Sequence, residues 1–274
     1  ELLMASYAMC HMKIDLILRE MGYDISKSSQ RVGVYLTNAL EQHHDDSYLP
    51  FANWLSQEAN KASRIKREMP IMVAFGNPPY SGESMNKGDW IMKLMEDYKQ
   101  EPSGGKLQEK NSKWINDDYV KFIRMGEHYI EKNGEGVLAY ITNHAYLDNP
   151  TFRGMRHHLL KTFDTIYIID LHGNSLKKET CPNGAKDVNV FDIKAGVSII
   201  IAYKKSKKNN TLAEVYHADL WGKRDEKYET LNSNNLASMS WQKLTHQEPF
   251  YFFVPKNYDL MKEYNQGFGV NELF

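Results

Sequence analysis

The chain has 274 residues, enough for one large α/β domain or one domain with part of a second. Its 42% hydrophobic and 25% charged residues can build a core, which excludes wholesale disorder, while a formal net charge of −1 argues neither for nor against nucleic acid. Cys10 and Cys181 show neither metal-ligand spacing nor a disulfide framework, which fits a reducing cytoplasm, and no apolar run approaches the roughly 18 residues of a membrane span.

The opening "ELLMASYAMCHMKIDLILREMG" lacks an initiator Met, a signal peptide and a polar lead-in, so it reads as a segment of something longer. Residues 5 to 21 have helical apolar spacing, with Ala8, Met12 and Leu16 on one face and Gly22 as the stop. "RVGVYLTNAL" reads as a strand over 31 to 36 with a polar end at Thr37-Asn38, followed by a helix near 47 to 68. A buried strand over 71 to 75 then ends in Gly76 and Asn77-Pro78-Pro79-Tyr80. An amide, two rigid prolines and an exposed ring do not read as packing. They read as a pocket rim.

Residues 81 to 113, with "EPSGGK" among them, read as a flexible excursion containing a short helix. A helix over 115 to 132, the strand "GVLAYIT", the helix "TFRGMRHHLLKTF" and the strand "TIYIIDL" follow. A loop from His172 to Asp192 leads to the strand "GVSIIIAYKK". Such alternation predicts a mostly parallel sheet covered on both faces, with ligands at the carboxyl ends of its strands. Four polar strand ends are therefore the candidates: Thr37-Asn38, Asn77 to Tyr80, Thr142-Asn143-His144, and Asp170 to Asn174. Any one alone is commonly a helix cap or turn.

Asn-Pro-Pro-Tyr after a hydrophobic strand resembles the catalytic motif of S-adenosylmethionine-dependent amino-methyltransferases, especially adenine-N6 DNA methyltransferases. "NPPYSGESMNKGDWI", the run from residue 120 to 203 and "VFDIKAGVSIIIAYKK" together resemble the methyltransferase part of single-chain Type I-like (Type ISP) restriction-modification enzymes. The resemblance implies a Rossmann-like sheet with helices on both faces. It also implies S-adenosyl-L-methionine as methyl donor and double-stranded DNA as substrate. Nuclease, helicase and target-recognition domains would accompany it in a longer polypeptide.

The motif has a chemical reason. Adenine's exocyclic amine is a poor nucleophile because its lone pair is delocalised into the ring. The Asn77 side-chain carbonyl and the Pro78 backbone carbonyl can accept its hydrogens and favour a pyramidal nitrogen, while Pro78 and Pro79 hold the geometry. Tyr80 would stack on a base flipped out of the duplex. The resemblance places Phe191, in "NVFDIKAGVSI", as the second wall of that base pocket. It matches Glu1 to the acidic residue that accepts hydrogen bonds from the cofactor's ribose, and Asn38 to the position contacting the cofactor's adenine. The family's glycine-rich cofactor loop and first strand are not found in the chain, so the expected core is N-terminally truncated. Taken alone, it is expected to be inactive, to bind cofactor weakly and to leave strand edges that favour self-association.

Arg153, Arg156 and the lysines from Lys204, Lys205 to Lys208 are candidates for phosphates flanking the flipped base. The pairs His43-His44 and His157-His158 cannot chelate from one helical face, and no metal site is assigned. Residues 1–206 read as the catalytic core and 207–274 as an extension towards target recognition. Two other readings stay open: a protein-glutamine or RNA amino-methyltransferase, and a non-catalytic DNA-positioning fragment.

Overall fold

The computed structural model describes residues 1–23, 31–44, 53–80, 82, 84–109, 113–206, 211–264 and 266–267. The chain divides into two compact units, Glu1–Ile71 with Met85–Lys93, and Met72–Ser84 with Leu94–Phe274.

The first unit contains α1 (Met4–Glu20) and α2 (Asn53–Glu68). Helix α1 forms where its apolar spacing predicts, and Gly22, at φ 83°, turns the chain after it. None of its residues is buried, and Met9, Met12, Leu16 and Ile17 are about half exposed. Residues 47–52 of the expected second helix lie outside the described residues.

The strand expected over 31 to 36 does not form. Its ladder groups are committed elsewhere: Val34 N–H donates to the Val32 carbonyl (2.8 Å), and the Arg31 guanidinium takes the Val34 carbonyl. Arg31 is itself held by buried Glu58 on α2. Only the far end of the segment pairs in extended fashion. The Glu1 amino group donates to the Tyr35 carbonyl (3.0 Å), and Thr37 N–H donates to the Glu1 carbonyl (2.7 Å).

The second unit is a six-stranded sheet with its helices. In chain order it comprises β1 (Val73–Gly76), α4 (Asp118–Asn133), β2 (Gly136–Asn143), α5 (Arg153–Thr162), β3 (Thr165–His172) and β4 (Val197–Lys204); α3 (Asp89–Met95), between β1 and α4 in sequence, begins in the first unit and ends in the second. Then follow β5 (Glu214–Asp219), α6 (Arg224–Ser233), β6 (Gln242–Lys243) and α7 (Asp259–Tyr264). The stretch expected as an excursion over 81 to 113 holds α3 and a 3-10 turn at Asp97–Lys99; residues 81, 83 and 110–112 are outside the described set.

The strand order is β1-β2-β4-β3-β5-β6. β1 and β2 are parallel, as are β3 and β5, while β4 runs antiparallel to both β2 and β3. Four strands thus share one direction, and β4 and β6 oppose it. A parallel return after β3 would need a crossover element. Residues 173–196 contain no helix, so β4 comes straight back.

Period-two alternation separates the faces. Leu138, Tyr140, Ile166, Ile168, Ile200 and Ala202 face the main core, with α4 and α5 packed there through Val120, Ile123, Met155 and Leu159. Ile169, Leu171 and Val197 face a smaller cluster, covered by Leu231 of α6 and by Met239 and Trp241. Each buried aliphatic side chain contributes about 1.5–3 kcal/mol. The α/β class with helices on both faces is as expected.

Strand β1 departs from the expected buried strand. It is the sheet's edge, paired on one side only, and Val73 and Phe75 are 58% and 79% exposed. The sheet also runs across residue 206: β5 pairs with β3, and Tyr251 and Phe253 join the main core.

Candidate active site

The parallel strands β1, β2 and β3 end at one edge of the sheet. Asn143, last in β2, and His172, last in β3, both pair with Val197, the first residue of β4. Three of the four polar strand ends are therefore neighbours in one unit. The fourth, Thr37-Asn38, belongs to the other unit.

At the end of β1, Pro78 is buried while Asn77 and Pro79 are exposed and Tyr80 is half-buried. The Tyr80 hydroxyl lies 2.9 Å from Asn77 Oδ1 and 3.1 Å from the Ile141 carbonyl of β2. Burial pushes the Tyr80 phenol well above its ordinary pKa, so it stays a proton donor. Its ring meets Tyr119 edge-on at 6.1 Å. The segment after the motif is anchored by the start of α4: Gly82 N–H donates to Asp117 Oδ2 (3.0 Å), and Ser84 Oγ lies 2.5 Å from Asp118 Oδ1 and 2.7 Å from Lys121 Nζ. In sequence Asp117-Asp118 reads as a helix start with dipole-favouring charge. Both are buried, and they do more than cap.

Phe191 sits on the loop between β3 and β4. Its N–H donates to Asn189 Oδ1 (2.8 Å), and Asn189 Nδ2 ties the loop to the carbonyls of Gly173 (3.1 Å) and Ala195 (2.7 Å). Gly173, at φ 80°, lets the Asn189 backbone approach so closely that a Cβ would stand 2.4 Å from its Cα. Buried Lys227 completes the clamp, bonding Asp187 (2.7 Å) and the Leu171 and Val188 carbonyls. Tyr80 and Phe191 both pack against the cluster of Ile169, Leu171, Val190 and Val197. Phe191 also borders a cavity of ≈ 610 Å³ shared with Asn174, Lys178, Lys194 and Arg224.

The other strand ends are wired together. His144 Nδ1 lies 3.0 Å from Asp170 Oδ1, joining the ends of β2 and β3, and its Nε2 lies 3.1 Å from Asn174 Nδ2. Burial alone would lower the His144 pKa, but the bond to Asp170 and that carboxylate's charge hold it above its ordinary value. Asn143 accepts from Ala145 N–H (2.9 Å), an ordinary cap.

In the first unit, Asn38 Oδ1 accepts from Leu40 N–H (3.0 Å), and its amide donates to Asn86 (2.9 Å) and Glu41 (3.1 Å). That side chain is engaged. The Glu1 side chain is exposed and borders a cavity of ≈ 520 Å³ along Ala5, Met9 and Lys13. A free carboxylate beside a cavity fits ribose hydroxyls, whereas Asn38 could meet a cofactor only through its backbone or after exchanging partners.

The candidate phosphate contacts need correction. Arg153 is 8% exposed and bonded to Glu101, Glu109 and the Pro150 carbonyl. Arg156 is fully buried, donating to the carbonyls of Tyr146 (2.6 Å), Asn149 (2.9 Å) and Phe250 (2.7 Å). Both are buried and committed to partners within the fold rather than presented to DNA. Lys204 pairs with Gly136 at the opposite end of β2 from Asn143, because β4 is antiparallel. At about 3.3 Å per residue it and Lys205 lie roughly 20 Å or more from the motif edge. Lys207 and Lys208 lie outside the described residues.

No helix of the described residues is long and apolar enough to cross a membrane. No curated protein matches the chain. Among solved structures, the chain is similar to the ATP-dependent Type ISP restriction-modification enzyme LlaBIII bound to DNA, at TM-score 0.77 and 22% identity over 96% of this chain and 18% of that one. It is similar to a nuclease-deletion mutant of the Type ISP enzyme LlaGI in complex with a DNA substrate mimic, at TM-score 0.73 and 20% identity over 96% and 21%. The DrdV–DNA complex matches at TM-score 0.59 and 22% identity over 73% and 20%. The chain thus spans about a fifth of the length of each, and these likenesses establish a shared Rossmann-like fold. Residues 11–176, more than half of the chain and including Asn-Pro-Pro-Tyr, match the Eco57I restriction-modification methylase family, to which this chain belongs.

Proposed function

We propose that the chain transfers a methyl group to the N6 amine of an adenine flipped out of duplex DNA, as the methylase part of a longer restriction-modification polypeptide. One observation carries this reading. Asn77 stands at the carboxyl edge of the sheet with its Oδ1 fixed by the Tyr80 hydroxyl, itself within reach of the Ile141 carbonyl. The Pro78 and Asn77 carbonyls accept the two amine hydrogens and free the nitrogen lone pair. Tyr80 and Phe191, resting on one apolar cluster, form the walls that hold the base. Bound S-adenosylmethionine would supply an electrophilic methyl group, and the exposed Glu1 carboxylate would accept from its ribose hydroxyls. The other residues of this chain orient the amine and exclude water, which strengthens each of these polar contacts.

The DNA in the LlaBIII, LlaGI and DrdV complexes supports duplex DNA as substrate, and the greater length of those chains supports nuclease, helicase and target-recognition parts as partners. Nucleoside mass analysis of DNA incubated with S-adenosylmethionine and the polypeptide carrying this chain tests the reading. N6-methyladenine is expected. Methylated RNA or protein glutamine with unmodified DNA would contradict it.

A further inference from the structure

On the main-core face of the adjacent parallel strands β3 and β5, the paired residues run Ile166↔Val215, Ile168↔His217, Asp170↔Asp219. The face is apolar through most of its length and then ends in a titratable patch. Two carboxylates directly opposite on neighbouring strands repel each other and destabilise the pair. Asp170 is 5% exposed, so water screens it little. His217 is 1% exposed, and neither of its ring nitrogens has a hydrogen-bond partner among the described residues. An orphaned buried imidazole is costly unless a ligand uses it.

Donor atoms of Asp170, His217 and Asp219 all lie within 4.8 Å of one another. His217 Nδ1 is 3.7 Å from Asp219 Oδ2. The His172 ring is within reach of both carboxylates, its Nε2 2.8 Å from Asp219 Oδ1 and its Nδ1 3.6 Å from Asp170 Oδ2. Donors on a tetrahedral ion with bonds of about 2.1 Å stand about 3.4 Å apart, so the spacings of Asp170, His217 and Asp219 suit one ion, whereas His172 turns one ring nitrogen to each carboxylate and stands outside the set. His144 is excluded from the set because both of its nitrogens are engaged, with Asp170 and Asn174. His172 is a non-glycine residue at φ 52°, an uncommon conformation that the surrounding contacts hold at this point. A cavity of ≈ 330 Å³, bordered by Lys177 and Trp221, reaches the two carboxylates, Asp170 and Asp219.

We propose that Asp170, His217 and Asp219 bind one divalent transition-metal ion of the zinc, cobalt or manganese class. One imidazole and two carboxylates suit such ions better than calcium or magnesium. The ion would neutralise the opposed carboxylates and fasten β5 to β3 where the Phe191 loop begins. This proposal does not depend on the methylation reading.

The test is titration of the chelator-treated full chain with Co2+, read by visible absorption and by thermal melting. One Co2+ per chain is expected, displaceable by Zn2+, with a rise in melting temperature. His217→Ala and Asp219→Asn should each weaken binding by at least about tenfold. Asp219 is the safer variant for folding because its side chain is 42% exposed. Absence of cobalt absorption in the wild-type chain would overturn the site. Binding unchanged in both variants would overturn it in favour of other ligands.

Discussion

The Tyr80 hydroxyl stands 2.9 Å from Asn77 Oδ1, and the same oxygen lies 3.1 Å from the Ile141 carbonyl. Its single proton therefore joins either the candidate catalytic amide or strand β2. Tyr80→Phe keeps the ring and removes this tie. It should slow methyl transfer by about tenfold, the worth of one orienting hydrogen bond, while leaving base stacking intact. Single-turnover transfer of labelled methyl checks it. A rate equal to wild type would show that Asn77 is oriented without Tyr80.

Tyr80→Ala and Phe191→Ala should each weaken retention of an extruded base by about 1–3 kcal/mol. With 2-aminopurine at the target position, bound-state fluorescence should change in both variants. If only Tyr80→Ala has an effect, Phe191 is a packing residue of the smaller cluster.

The buried cations should separate from DNA binding. Arg156→Met would orphan the carbonyls of Tyr146, Asn149 and Phe250, costing about 3 kcal/mol in chemical denaturation. Lys204→Ala and Lys205→Ala, at the far end of β4, should leave the salt dependence of DNA affinity unchanged. A slope reduced by about one unit would place phosphates at that end of the sheet.

The sequence shows why these assignments divide as they do. Asn77 to Tyr80 and the polar ends of β2 and β3 are legible because period-two apolar runs end abruptly in amides and histidines. The direction of β4 was open to inference too, since no helix separates it from β3. Burial of Arg156 was not legible. On α5, "RGMRHH" looks like a solvated face, and its carbonyl partners come from residues ten, seven and 94 positions away. The strand expected over 31 to 36 failed because β-branched spacing says nothing of a partner, and Arg31 and Val32 divert its hydrogen bonds.

Acid stability should follow Glu127, fully buried between Arg124, Tyr98 and His158. Burial alone would raise its pKa, but His158 and Arg124 bring it down to about 2. A carboxyl with a folded pKa below its ordinary 4.5 contributes stability above that value and loses it as pH falls towards 2. His158 is held above its ordinary value despite burial, by Glu127, so its contribution is full below 6.5 and lost as pH rises through the raised pKa. Glu127→Gln should flatten the acid limb of a melting-temperature profile between pH 4.5 and 2. A wild-type profile already flat there would show that the carboxyl titrates normally.

The central claim is that Asn77 activates the target amine. The most direct measurement is single-turnover methyl transfer to duplex DNA by the polypeptide carrying this chain, comparing wild type with Asn77→Ala and measuring S-adenosylmethionine affinity alongside. The expected result is a rate at least about a hundredfold lower, from loss of an oriented acceptor at the reacting nitrogen, with cofactor affinity nearly unchanged. A rate within about tenfold of wild type would contradict that role.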